Sequence, residues 1–195
     1  MNKKNLNMNK LKKEQAYKSM LMFGLFSIVM LFAGLTSAYI VSKGYLGTNW
    51  QSVQLPDAFL YSTILIALSS VCLILSNKKY INKDEVSSKN YLLIAVVLGV
   101  LFLISQYFGW ISLINNEYFF VGSGNASSYV YIFSGVHLAH VLFGLFFLIQ
   151  SLLKMTFLSK FFSTESTIIL KLKFWFWHFL GFLWVYLYVF LHLYN

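Results

Sequence analysis

Arginine is absent from this chain, cysteine and proline occur once each, and only six acids stand against 15 lysines. Each shortage excludes something. A single cysteine, Cys72, rules out an internal disulfide and any cysteine-based metal cluster; surrounded by apolar residues, it reads as a small core side chain. Its six acids, Glu14, Asp57, Asp84, Glu85, Glu117 and Glu165, all fall in loops or near the ends of apolar runs, so no buried acid pair is available for acid–base work and no glutamate set for a di-iron site. Glycine-rich phosphate loops and Ser/His/Asp arrangements are missing too, which argues against hydrolysis and phosphoryl transfer. Charged residues make up 11% of the 195 residues, against roughly a quarter in a soluble domain.

What fills the chain instead is apolar: 58% hydrophobic and 19% aromatic residues. That surplus must face lipid. Five stretches are long enough to cross a bilayer, for which about 20 apolar residues are needed; they lie at about 20–42, 57–76, 91–114, 128–153 and 174–194. The sequence therefore predicts an all-α, polytopic membrane protein: a basic N-terminal segment, 1–19, followed by one five-helix membrane domain, 20–195. The first run is too long for a signal-peptide core and should be retained. Pro56 stands where the second helix can begin without losing a needed donor.

The net charge of +9 could indicate nucleic acid, but every lysine lies outside or at the edge of an apolar run. From the N-terminal segment through successive loops to the C-terminus the lysine counts run 6, 1, 4, 0, 4 and 0. Lysine-rich short loops stay cytoplasmic. The N-terminus and the second and fourth loops, the last carrying Ser163, Thr164 and Glu165, are thus expected inside and the C-terminus in the periplasm. Trp50, Tyr118, Phe119, Phe120 and Tyr194 fall at outer interfaces, where aromatic rings anchor well.

Of four histidines, His137 and His140 on the fourth span and His178 on the fifth lie at membrane depth, where a polar group defaults to a functional expectation. His137 and His140 are three apart and share a helix face. With His178 opposite they could hold a metal or haem; the commoner use of such imidazoles is hydrogen bonding across helices or to lipid. His192 reads as interfacial. Gly34 with Ala38, and Gly135 with Ala139, would let helix backbones approach closely.

The fourth span reads Phe133-Ser134-Gly135-Val136-His137-Leu138-Ala139-His140-Val141 and then Gly144. The fifth carries Trp177-His178-Phe179 and Trp184; the first carries Phe32-Ala33-Gly34-Leu35 with Ala38-Tyr39; Leu55-Pro56 opens the second, ahead of Ser62-Thr63. This ordered set, over nearly the whole chain, resembles subunit III of the haem-copper terminal oxidases in its short, five-helix bacterial form. The resemblance implies a non-catalytic subunit without haem, copper or any metal of its own. Such a chain sits in a bacterial inner membrane, packs on catalytic subunit I beside other oxidase subunits, and holds phospholipid in a V-shaped cleft. Its complex couples oxygen reduction to proton pumping. His137, His140, Trp177, His178, Trp184, Gly34 and Gly135 would then be lipid or helix-packing contacts. Three membrane carboxylates usual in that family are replaced here by Ile28, Gly109 and Gly181, so no proton-entry role carries over. Two other readings stay open: the accessory subunit of a nitric oxide reductase, and a small haem-bridging membrane cytochrome. Nucleic acid is not an expected partner. The electron donor, cytochrome c or quinol, is decided by another subunit.

Overall fold

The computed structural model of the chain describes residues 3–157 and 164–194. Met1 and Asn2 of the basic N-terminal segment, and Lys160 and Ser163 of the fourth linker, lie outside them. Five helices follow one another: α1 (Lys3–Leu46), α2 (Asp57–Ile81), α3 (Glu85–Asn115), α4 (Asn125–Phe157) and α5 (Thr164–Tyr194). A single 3₁₀ turn, Gly47–Asn49, follows α1, and the described residues include no strand. All five helices are long and apolar enough to cross a membrane.

The helices outrun the apolar stretches at most of their ends. Nothing in the flanks breaks them, because Lys, Glu, Gln and Ala are good helix formers. The stretch Lys12-Lys13-Glu14-Gln15-Ala16 is therefore already helix, and α1 runs unbroken from Lys3 into its span. The first real stops are local. Pro56 sits just ahead of α2 in extended conformation, its carbonyl accepting from the Phe59 N–H at 3.0 Å. Only Asn82 to Asp84 separate α2 from α3. Asp84 caps α3, its Oδ1 accepting the Ser87 backbone N–H at 3.2 Å, and it meets Lys79 at 3.3 Å. Hydrogen bonds from the Ser87 side chain and backbone hold its carboxyl below the usual range.

Helices α2 and α3 pair along a seven-residue repeat. The buried positions of α2 are Phe59, Ser62, Ile66, Ser69, Leu73, Ser76 and Tyr80, alternating three and four apart throughout, as in a coiled-coil seam. Those of α3 include Ser88, Leu92, Ala95, Gly99, Phe102, Gln106, Gly109 and Leu113 in the same rhythm. Every seventh residue of α2 is thus a buried serine. Each one bonds across helices. The Ser76 hydroxyl donates to the Ser88 carbonyl at 2.8 Å and Ser88 returns the bond to the Ser76 carbonyl at 2.9 Å; Ser69 donates to the Ala95 carbonyl at 3.0 Å; Gln106 Nε2 donates to Ser62 Oγ at 2.7 Å. Lipid tails are as apolar as the side chains, so close fit and such bonds hold membrane helices together.

Helix α5 is the common neighbour, packing on α1, α2 and α4, while α3 packs on α2 and α4. Among the described residues α1 touches only α4 and α5 of the long helices. Its second half is tied down: Ile28, Phe32, Thr36 and Tyr39 are buried, the Tyr39 hydroxyl donates to the Tyr194 carbonyl at 3.3 Å, Lys43 donates to that same carbonyl, and Ser42 and Tyr129 share a hydrogen bond of 2.8 Å. From Leu11 to Ser27 the helix stays largely exposed. The alternating helix order gathers every described lysine except Lys43 at one end of the bundle.

Candidate functional site

Among the buried polar side chains, His137 on α4 stands apart. It is fully buried, and neither ring nitrogen has a hydrogen-bond partner. Rings from three other helices enclose it: Trp184 of α5 stacks on it at 5.1 Å and 29°, Phe102 of α3 meets it at 6.1 Å, and Phe32 of α1 at 6.4 Å. Four helices thus converge on one imidazole. His140, one turn on, is half-buried beside Phe32 at 6.2 Å, and its Nδ1 lies 2.8 Å from the Val136 carbonyl of its own helix, to which it can donate. His178 belongs elsewhere, lining a cavity with Asn77 and Lys171. Among the described residues no three His, Cys, Asp or Glu side chains come together as a metal-holding group.

Two tryptophans organise the same core. Trp184 Nε1 donates to Thr63 Oγ1 at 3.0 Å, and its ring meets Phe59 and Phe102 edge-on at 5.8 Å and 5.5 Å. Trp177 is fully buried, donates to Ser69 Oγ at 3.1 Å, and lies against two glycines. A Cβ at Gly99 would stand 2.8 Å from Trp177 Cη2, and one at Gly144 would stand 3.1 Å from Cε3 and 2.9 Å from Leu180.

The close approaches inside this chain therefore run through Gly99 and Gly144, not through the glycines singled out by small-residue spacing. Gly34 is exposed with nothing within 4 Å of a Cβ, and Gly135 meets only Trp110 at 4.0 Å. The reason is angular: Gly34 and Ala38 lie on the α1 face opposite Phe32, Thr36 and Tyr39, which turn inward. Gly99 is legible in the sequence only through the seven-residue repeat of α3. Of the three positions where the resemblance places carboxylates, the two glycines are closed as well. A Cβ at Gly109 would run into the Phe59 ring, one at Gly181 would stand 3.2 Å from Ser70 Oγ, and Ile28 is buried.

Between the exposed half of α1 and the α4–α5 pair lies an apolar cleft of about 380 Å³, lined by Met20, Gly24, Ile28, Phe147, Leu172 and Phe176 among others. Lys173 sits at its edge, donating to Gln150 Oε1 at 2.6 Å and Ser151 Oγ at 3.3 Å, with its ammonium 5.8 Å from the Phe147 ring centre. None of the histidines lines this cleft.

An unpartnered buried polar group costs about 1–3 kcal/mol. Since His137 is held by ring contacts on a polar side chain without partners, His137→Phe is expected to keep the contacts and remove that cost. Its unfolding midpoint in detergent should rise; a fall would show that a bound water or other ligand uses the imidazole.

Known proteins resemble this chain. The family model described as Cytochrome c oxidase subunit III matches residues 8–195. A protein named Cytochrome c oxidase subunit 3 from Rhipicephalus sanguineus is 31% identical over 133 residues, 68% of this chain and 49% of that protein. Its namesake from Allomyces macrogynus is 27% identical over 172 residues, 84% of this chain and 61% of the relative. That from Corynebacterium diphtheriae is 28% identical over 167 residues, 83% of this chain and 80% of the relative. The chain thus spans about half the length of the first of these and four fifths of the last.

Proposed function

The chain belongs to the cytochrome c oxidase subunit III family, and from that membership we propose that it is the non-catalytic subunit III of an aerobic haem-copper oxidase in a bacterial inner membrane. The family match over residues 8–195 is the observation that carries the reading. In it, haem and copper belong to partner subunits, which reduce oxygen and move protons, while this chain braces the catalytic subunit I. The lysine-rich end faces the cytoplasm and Tyr194 the periplasm, in keeping with the positive-inside rule.

Two surfaces support a bracing role. The α1 face that carries Gly34 and Ala38 is exposed along a stretch whose other side is packed, leaving a backbone that a partner helix could approach closely. The cleft beneath α1 is apolar with one ammonium at its edge, a shape and polarity that suit a phospholipid acyl chain near the membrane surface.

Purification in mild detergent through a tag on this chain should bring down a haem-copper catalytic subunit with oxygen-consuming activity. Gly34→Ile should leave the chain folded, since its side chain meets nothing within the bundle, yet reduce recovery of that subunit several-fold. Emergence of the chain alone would overturn the reading. A nitric oxide reductase subunit in the eluate would replace it with the other respiratory complex.

A further inference from the structure

Phe32 of α1 lies against both His137 and His140, with ring centroids 6.4 Å and 6.2 Å away. Helices α1 and α4 run in opposite directions, since Ser42 meets Tyr129, Phe32 meets His137, and Ile28 shares the apolar cleft with Phe147. Along α4, His140 therefore lies one turn nearer the cleft than His137, and Phe32 covers both rings from the α1 side. The cover is lightly held. Of the long helices α1 touches only α4 and α5 among the described residues, and from Leu11 to Ser27 it is largely exposed.

The surroundings of His137 suit a neutral ring alone. Toward it α1 presents Phe32, α3 Phe102 and α5 Trp184, none of which titrates, and α2 does not pack on α4. On its own helix the titratable neighbour is His140. The acids all fall in loops or near the ends of apolar runs, and Lys173, at the edge of the cleft, is bound to Gln150 and Ser151. An imidazolium donates from both nitrogens, and in this cage neither has an acceptor. The face of Trp184 attracts a cation, but an unpaired charge enclosed by hydrocarbon is far costlier than a neutral polar group. To hold a proton, the ring has to leave the cage. We propose that Phe32, His137 and His140 form an acid-sensitive joint, in which protonation of His137 drives its imidazole from between the rings, loosens α1 from α4 and widens the cleft. A charge on His140, one turn away, repels the first and acts in the same direction. Because the proton binds the open joint and not the closed one, closure is fully stable above the ordinary histidine range, about pH 6.5, and is lost progressively below it. The joint does not depend on which respiratory complex the chain serves.

The test is a distance measurement by pulsed electron paramagnetic resonance on the full-length chain in mild detergent. Spin labels are carried by Phe23→Cys on α1 and Phe182→Cys on α5, both exposed positions, in a Cys72→Ser background, and samples are frozen at pH values from about 7.5 down to about 4.5, across the histidine range. A second distance should appear on acidification, its population relative to the first rising by up to about tenfold per pH unit below that range. His137→Phe should keep the neutral-pH distance throughout. His178→Gln should leave the acid response unchanged, because His178 lines a separate cavity. A single unchanged distance in the wild type, the same acid response in His137→Phe, or its loss in His178→Gln would each overturn the joint. His137→Leu, smaller and equally unable to titrate, gives the same reading should the phenylalanine variant not fold.

Discussion

Replacing Trp177 by alanine is expected to destabilise the bundle by about 3–5 kcal/mol, the usual cost of removing a large buried aromatic side chain. The ring is fully buried, reaching from α5 to Gly99 of α3 and Gly144 of α4, and the contacts that would be lost are mainly dispersion contacts. Its N–H also leaves Ser69 Oγ, a hydroxyl that keeps its own bond to the Ala95 carbonyl and so is not orphaned. Volume, then, dominates over hydrogen bonding. Trp177→Phe separates the two: it should lose the bond and part of the ring and cost a smaller share. Gly99→Ala should be damaging beside Trp177, because the new methyl would stand 2.8 Å from a ring carbon, and largely tolerated in the Trp177→Phe background, where the smaller ring leaves room for it. Unfolding midpoints of the wild type, the two single variants and the double variant in detergent measure the coupling. Additive effects would show that the ring and the glycine do not constrain one another.

Gly109→Glu, which places a carboxyl in the tightest of the close approaches on α3, should be the most damaging single change on that helix. Two costs combine. Its Cβ runs into the buried Phe59 ring, and overpacking of this kind typically costs about 1–3 kcal/mol. The carboxyl then enters a membrane-spanning segment, where an acid costs about 2.5–3.5 kcal/mol at the helix centre. Gly109→Ala isolates the first cost, and Phe59→Leu should relieve much of it by withdrawing the ring. Thermal unfolding of Gly109→Ala in the two backgrounds would show the relief as a smaller loss in the second. An equal loss in both would mean that the clash with Phe59 is not what closes the position.

How far the sequence reaches is clearest on particular residues. His137, His140 and His178 share a residue type and a membrane depth, and nothing in their spacing distinguishes them. In the bundle His137 is sealed among three rings, His140 bonds back to its own helix, and His178 opens onto a polar cavity with Asn77. Gly34 and Gly99 pose the same problem. Both are small residues in apolar runs, but α1 turns Gly34 outward while α3 presents Gly99 to Trp177. The helix ends depart from the apolar runs for a different reason. Apolar runs report where lipid begins, whereas the helix continues through lysine-rich flanks until a cap or a proline stops it, as Asp84 and Pro56 do around α2 and α3.

The order of residues is enough to show that this chain has five helices long and apolar enough to cross a membrane and carries the ordered residues of an oxidase subunit III. Those properties are local or additive: about twenty apolar residues must satisfy their backbone within one helix, and a motif is read residue by residue. Packing in three dimensions sets which faces close on one another, brings Trp177 against two glycines while Trp184 stacks on His137, and places Asn77, Lys171 and His178 around one cavity. Between lipid-facing helices the hydrophobic effect makes almost no distinction, so rotation about each helix axis is set by pairwise fit and by a few serine and tryptophan hydrogen bonds. Such fit depends on two or more segments at once and is written in no single stretch of chain.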